Sequence, residues 1–215
     1  MVYNFSDRNS LFNNFLKEIR DEEIQRDKLR FRRNLERISE IMAYELSKEF
    51  KYASEKVVTT LGEATMNIFQ EELVLATILR AGLPMHQGLM NYFDQAESAF
   101  VSAYRKHTTE EDYDIQVEYC AAPSIDNKIL IISDPMIATG ASMVMVYKAL
   151  LKYGTPKQIH IVGAIATDEA LTYVQSKLPP KTKYWVGAID EELTAQAYIV
   201  PGLGDAGDLA FGDKV

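Results

Sequence analysis

Between Leu11 and Phe50 apolar and charged residues alternate with a helical period. Phe31, Leu35, Ile38, Met42 and Leu46 recur at spacings of three and four, which places them on one face. The pattern predicts a helical segment over about 10–50, packed on the core or on a second subunit, with its charges on a solvated face. After Thr60 the texture changes. Leu73 to Leu79 reads as a buried strand leading into the loop Arg80-Ala81-Gly82-Leu83-Pro84, and Met85 to Phe93 reads as a helix. Phe100 to Tyr104 predicts a strand that ends at Arg105. Residues 106–114 are polar and aperiodic, which predicts a mobile loop, and Ile115 to Tyr119 alternates like an exposed strand.

Three βα-like units follow. Ile129 to Ile132 is a wholly apolar strand, and Ser142 to Tyr153 is a helix closed by Gly154 and Pro156. Ile159 to Ile165 is a strand followed by a helix from about Asp168 to Lys177, and Tyr184 to Ile189 is a strand feeding a glycine-rich tail. Strands alternating with helices predict an α/β fold, a mostly parallel sheet covered by helices on both faces. One domain is expected over 1–215: helices over about 10–50, a core over about 55–190 and a tail over about 191–215.

Charge narrows the functional classes. Against 31 acidic residues stand 23 basic ones, a net of −8, which argues against a general nucleic-acid-binding surface. It leaves room for a polyanionic small ligand, since local arginines and backbone amides can bind phosphates in an acidic protein. Cys120 stands alone, so no intrachain disulfide or cysteine-rich metal site is expected. His86, His107 and His160 lack metal-ligand spacing; His160 reads as a strand residue and the other two as surface. The N-terminus lacks a secretory pattern, and no apolar run approaches the roughly 18 residues of a membrane span. The expectation is a soluble cytoplasmic protein with no membrane contact.

The segment ILIISDPMIATGAS, 129–142, carries the most chemistry. Asp134 sits just past the carboxyl end of a buried strand, where open α/β sheets bind ligands. Ala138, Thr139 and Gly140 then form a small-residue loop entering a helix near Ser142. Such a loop exposes backbone N–H groups and the positive end of the helix dipole to a phosphate, and Asp134 could accept hydrogen bonds from ribose hydroxyls. A helix merely capped by Ser142 after an incidental turn is the bland alternative.

An apolar strand, an acid and a loop ending T-G-x-S resembles the 5-phosphoribosyl-1-pyrophosphate (PRPP) motif of type I phosphoribosyltransferases. With Pro135 in place of a second acid, it is similar to the variant in uracil phosphoribosyltransferases. Ala141 stands where that family usually has glycine, so its methyl is expected to crowd the loop slightly. The tail YIVPGLGDAGDLAFG, 198–212, resembles the family's uracil loop, although Leu209 and Asp213 depart from its usual arginine and threonine. TILRAGLP, 77–84, resembles its pyrophosphate loop, and Arg105 with Thr109 matches its Arg-x-x-x-Thr. The resemblance extends to Phe31-Arg32 and Tyr44-Glu45.

The resemblance implies the type I phosphoribosyltransferase fold, with N-terminal helices and a base-binding tail. It implies transfer of the phosphoribosyl group to N1 of uracil, giving UMP and pyrophosphate. PRPP would be bound by Arg80, Arg105, Asp134, Pro135, Met136, Ile137, Ala138, Thr139, Gly140, Ala141, Ser142 and Asp205. Uracil would meet Ile199, Gly204, Asp205 and Ala206. Asp134, Arg80, Arg105 and Asp205 are the catalytic candidates, with a structural role for Asp205 left open. The peptide beside Arg80 is expected to be strained, a cis bond being one form. Mg²⁺ is the implied cofactor, held by PRPP and water more than by protein ligands. A homo-oligomer, dimer or tetramer, and a purine nucleotide effector also belong to the family picture. The alternatives are an RNA-binding regulator with a PRPP site, against which the net charge weighs, and a catalytically silent homologue.

Overall fold

The computed structural model describes residues 1–107 and 113–214, and within 103–116 it describes the backbone alone. The chain opens with strand β1 (Val2–Asn4), then helices α1 (Phe12–Arg20) and α2 (Lys28–Ser47). Asp27 caps α2, its carboxylate accepting from the amides of Leu29 at 3.0 Å and Arg30 at 3.1 Å. Phe31, Leu35, Ile38, Met42 and Leu46 are all buried, so the apolar stripe is used up within the chain. The arginines of α2 are engaged too. Arg30 pairs with Glu18 at 2.6 Å, Arg33 pairs with Glu36, and Arg32 donates to the carbonyl of Ala210 at 2.6 Å.

Strands β2 (Tyr52–Thr59) and β3 (Gly62–Phe69) form an antiparallel hairpin of their own. No pattern in the sequence predicts an element here. Nearly every residue of the hairpin is exposed, so no inward face imposes an apolar alternation. Leu61 at its tip is 98% exposed.

The remaining elements are β4 (Leu73–Leu79), α3 (Leu83–Met90), β5 (Glu97–His107), β6 (Tyr113–Ala121), β7 (Ile129–Ser133) and β8 (Met136–Ile137). Then come α4 (Ala141–Leu150), β9 (Gln158–Thr167), α5 (Asp168–Lys177), β10 (Lys183–Asp190), β11 (Glu192–Leu193), β12 (Ile199–Val200) and α6 (Ala206–Phe211). The main sheet runs β1-β10-β9-β7-β4-β5-β6, with β8 beside β9. Its pairings are parallel apart from β5 with β6.

Alternate residues of the central strands feed two cores. Leu73, Leu75, Ile129 and Ile131 face α1, α2 and α3, whereas Val74, Ala76, Leu130 and Ile132 face α4 and α5. A strand buried on both faces reads as a continuous apolar run, which is why these strands were plain in the sequence. From β4 the chain first winds outward to β5 and β6, then returns to β7 on β4's other side and continues to β9 and β10. The winding direction therefore reverses between β4 and β7.

Three expectations need correction. Strand β5 continues to His107 and β6 begins at Tyr113, so the ends of the expected mobile loop are paired strand; residues 108–112 lie outside the described residues. His86, read as surface, is 1% exposed on the inner side of α3, with Nε2 at 3.0 Å from the Ser98 hydroxyl. The tail, whose glycines and two acids Asp205 and Asp208 read as too polar for the core, is not wholly polar loop. Ile199, Leu203, Ala206 and Ala210 join the core, and α6 ends it. Among the described residues, no helix is long and apolar enough to cross a membrane.

The two-core arrangement predicts a sharp contrast between two leucines. Leu35→Ala on α2 should lower unfolding free energy by about 2–5 kcal/mol through the cavity it leaves. Leu29→Ala, on the same helix but 64% exposed, should change it by less than about 0.5 kcal/mol. Urea denaturation of both variants checks this.

Candidate active site

Because the central strands run parallel, their carboxyl ends share one rim. Strand β4 ends in a cis Leu79–Arg80 peptide, the bond the resemblance allowed beside Arg80. The Arg80 guanidinium is not left in solvent. Its Nη2 donates to Asp208 Oδ1 at 2.9 Å and to the carbonyl of Gly212 at 3.2 Å. The loop after β4 is thereby tied to the C-terminal tail, 128 residues along the chain. Asp208 had no role in the sequence reading; its only signal there was its place as the second acid of the tail.

Next along the rim, β7 leads to Asp134. Its amide donates to the Val162 carbonyl at 3.1 Å, and its Oδ1 accepts from the Met136 amide at 3.3 Å. Pro135 accepts from the Ile165 amide at 2.9 Å, while Met136 and Ile137 pair with β9 as β8. The Ala138 carbonyl accepts from the Thr167 hydroxyl at 2.9 Å, and Thr139 Oγ1 accepts from the Ala141 amide at 3.4 Å. The loop thus has a fixed course along β9 before it enters α4.

Gly140 makes the turn with φ of 75°, and a Cβ there would lie 2.5 Å from Val174 Cγ2. No side chain caps α4, so the bland alternative of a helix capped by Ser142 does not describe it; Gly140 holds the cap position. Ala141 is the first helical residue and is not among the positive-φ positions, so its backbone does not require glycine. The first-turn amides of α4 have no intrahelical acceptor and are suited to an anion.

The tail brings a third strand of chemistry to the rim. Ile199 is buried on β12, and Ala206 opens α6. Asp205 caps that helix, Oδ1 accepting from the amides of Gly207 at 2.8 Å and Asp208 at 3.0 Å. Gly204, before it, is exposed with φ of 95°. Beside them opens a cleft of about 310 Å³ lined by Arg26, Lys28, Asp205, Asp208, Leu209 and Asp213. Leu209 also rests against the core, which an apolar side chain there suits. Arg105 lies on β5 opposite Ile115, three residues beyond the Ser102 that pairs with Leu79. Its side chain, like the whole of Thr109, lies outside the described residues.

Electrostatics single out Asp134. The residue is half-buried, but its carboxyl is crowded by protein; this desolvation raises its pKa from 3.8 to about 7. The hydrogen bond from Met136 opposes the rise, and the negative charge of Asp205 adds to it. Residues 71 positions apart in the sequence are therefore close enough to influence each other's charge.

The fold is that of a phosphoribosyltransferase. A hypoxanthine phosphoribosyltransferase from Staphylococcus aureus superposes with a TM-score of 0.53 over 86% of this chain and 83% of its own, at 17% identity. A solved protein from Aquifex aeolicus matches over 100% of both chains, with a TM-score of 0.87 and 29% identity. The family model described as uracil phosphoribosyltransferase matches residues 7–213. A uracil phosphoribosyltransferase of Porphyromonas gingivalis is 54% identical over 100% of this chain and 99% of its own. One from Pyrococcus furiosus is 37% identical over 100% of this chain and 91% of its own. The chain belongs to the uracil phosphoribosyltransferase family.

The raised pKa of Asp134 has a testable sign. A carboxyl at 3.8 when unfolded and about 7 when folded binds more protons in the folded state between those values. Stability should therefore fall as pH rises from about 4 to 7. Asp134→Asn removes that titration. The variant should gain on the order of 1–3 kcal/mol over wild type at pH 8, allowing for the half-buried position of the residue, and lose the advantage by pH 4. Paired melts across this range read the difference.

Proposed function

We propose that this protein transfers the phosphoribosyl group of PRPP to N1 of uracil, forming UMP and releasing pyrophosphate. The observation that carries the reading is the meeting of three distant segments at the point where the sheet's winding reverses. They are the Arg80 loop, the Asp134-to-α4 loop and the Asp205 tail, in a chain of this family. A switch point at the carboxyl edge is where open α/β sheets take ligands.

In the reaction the N1–C1 bond forms as the C1–O bond to pyrophosphate breaks, and C1 inverts. The 5-phosphate sits in the loop 137–142 against the first-turn amides of α4, with Thr139 and Ser142 adding hydroxyls. Pro135 and Met136 lead the chain from Asp134 into that loop. Ionised Asp134 accepts from the ribose hydroxyls and favours positive charge on the ring as pyrophosphate leaves. Arg80 exchanges Asp208 for pyrophosphate, and Arg105 supplies a second cation from β5.

Uracil lies against backbone groups of Ile199, Gly204 and Ala206. A base that cannot match those groups leaves buried donors and acceptors unpaired. Asp205 orients the substrates or takes the N1 proton while its Oδ1 caps α6. Mg²⁺ suits this site because Asp205 already makes ionising Asp134 costly, a burden that a cation held by PRPP oxygens and water would relieve. When bound it supplies charge neutralisation for the leaving pyrophosphate. The same reading makes the protein a homo-oligomer. The β2–β3 hairpin supports this, since its exposed Val58, Leu61 and Met66 belong to neither core among the described residues.

Radiolabelled uracil with PRPP and Mg²⁺ tests the activity. Wild type should form UMP only when both are present, and Asp134→Asn should lower kcat/KM by roughly 10²- to 10³-fold. No UMP from a folded sample that binds PRPP would overturn the proposal. Light scattering tests assembly: wild type should exceed the monomer mass, and Val58→Asp/Leu61→Asp should move it toward the monomer.

A further inference from the structure

Behind the tail lies an ion pair that the proposed chemistry does not use. Arg20, the last residue of α1, faces Asp190, the last residue of β10. The contact is bidentate: Nη1 donates to Oδ2 and Nη2 to Oδ1, each at 2.8 Å. The Asp190 side chain is 7% exposed. Both partners also grip the same residue of the tail. Asp190 Oδ2 accepts from the amide of Gly202 at 2.9 Å, and Arg20 Nη1 donates to the carbonyl of Gly202 at 3.0 Å.

Gly202 closes the turn that leaves β12. It follows a cis Val200–Pro201 bond, has φ of 53°, and lies so near Ile199 that a Cβ would sit 2.1 Å from the Ile199 carbonyl oxygen. One side of this turn is Ile199 and the other is Leu203-Gly204-Asp205-Ala206. These flanks hold every position proposed to meet uracil. With both backbone groups of Gly202 fixed by one ion pair, the two flanks are set relative to each other and to the sheet rim.

The N-terminal segment grips the tail at two further points. The Gln25 side-chain amide, with its nitrogen turned inward, donates to the carbonyls of Leu203 and Ile19, each at 2.9 Å. Arg32 donates to the carbonyl of Ala210.

We propose that the Arg20–Asp190 pair is a positioning device that sets the affinity for the base by fixing the Gly202 turn, without touching either substrate. The proposal rests on the uracil reading above. A buried ion pair is in general a weak source of net stability, because desolvation offsets attraction. Recognition by backbone groups, by contrast, tolerates displacements of only about 0.5 Å. Disturbing one partner alone lowers stability by leaving the other uncompensated, so the pair's role in positioning is read from the KM for uracil against that for PRPP.

Two variants test this in the full chain. Asp190→Asn keeps the size and an acceptor for the Gly202 amide but loses the bidentate charge pair. Arg20→Lys keeps the charge, yet an ammonium cannot span both carboxylate oxygens and the Gly202 carbonyl with the same geometry. KM is measured separately for uracil and PRPP, with kcat and a melting curve beside them. The expected result is a rise of about tenfold or more in KM for uracil, with KM for PRPP within about twofold. The double variant should be little worse than the stronger single one, since both disturb one contact. An unchanged KM for uracil, or equal rises in both KM values, would overturn the proposal. If Asp190→Asn does not fold, Arg20→Lys decides by the same criteria. A wild-type protein that makes no UMP would instead strike the activity itself, so the two failures are distinct.

Discussion

A parallel sheet sealed on both faces leaves one convenient place for polar side chains, the rim where its strands end. Here α1, α2 and α3 cover one face while α4 and α5 cover the other, and the strands between them are mainly apolar, with Thr77, Ser133 and His160 among the buried polar exceptions. Parallel pairing then delivers the carboxyl ends of all its strands but β6 to the same edge. Arg80, Asp134, Thr167 and Asp190 each stand at or just past the end of a strand, and each has a polar partner there. The reversal of winding between β4 and β7 parts the covering helices at that edge. Polar chemistry gathers there because the packing excludes it from the interior and the topology opens a crevice.

The tail completes the rim from outside the sheet. Its apolar residues Ile199, Leu203, Ala206 and Ala210 anchor it in the core, and its polar residues reach back to the strand ends. Arg80 binds Asp208 and the Gly212 carbonyl, while Arg20 and Asp190 bind Gly202. The N-terminal helices therefore do more than cover a face. Their outward arginines are committed to Glu18, Glu36 and the tail, which leaves little of their charge for an extended polyanion such as RNA.

What could be read in advance follows the same physics. Buried strands such as Leu73–Leu79 and Ile129–Ser133 stand out because burial on both faces favours near-continuous apolar runs, here interrupted only by Thr77 and the terminal Ser133. The stripe on α2 was equally plain, since one helix face meets the core. The β2–β3 hairpin escaped notice because exposure on both faces removes the alternation that marks a strand. Strand β1 is three residues long, too short for any period, and is held by Tyr3 stacking on Trp185 at 4.0 Å. The small-residue loop and the acids of the site were legible as motifs. The pairings Arg80–Asp208 and Arg20–Asp190 were not, because contacts between positions 128 and 170 residues apart leave no trace in local spacing.

Asp205 holds two posts at once. Its carboxylate caps a helix of only six residues, and it lies close enough to Asp134 to raise that residue's pKa. So short a helix has little order of its own without a cap and a packed face. Substitution at this one position therefore perturbs local architecture and local charge together. Turnover data alone would assign to chemistry a loss that belongs partly to unravelling of the chain's end, and an exchange that preserves the cap while altering the charge is the one that separates them.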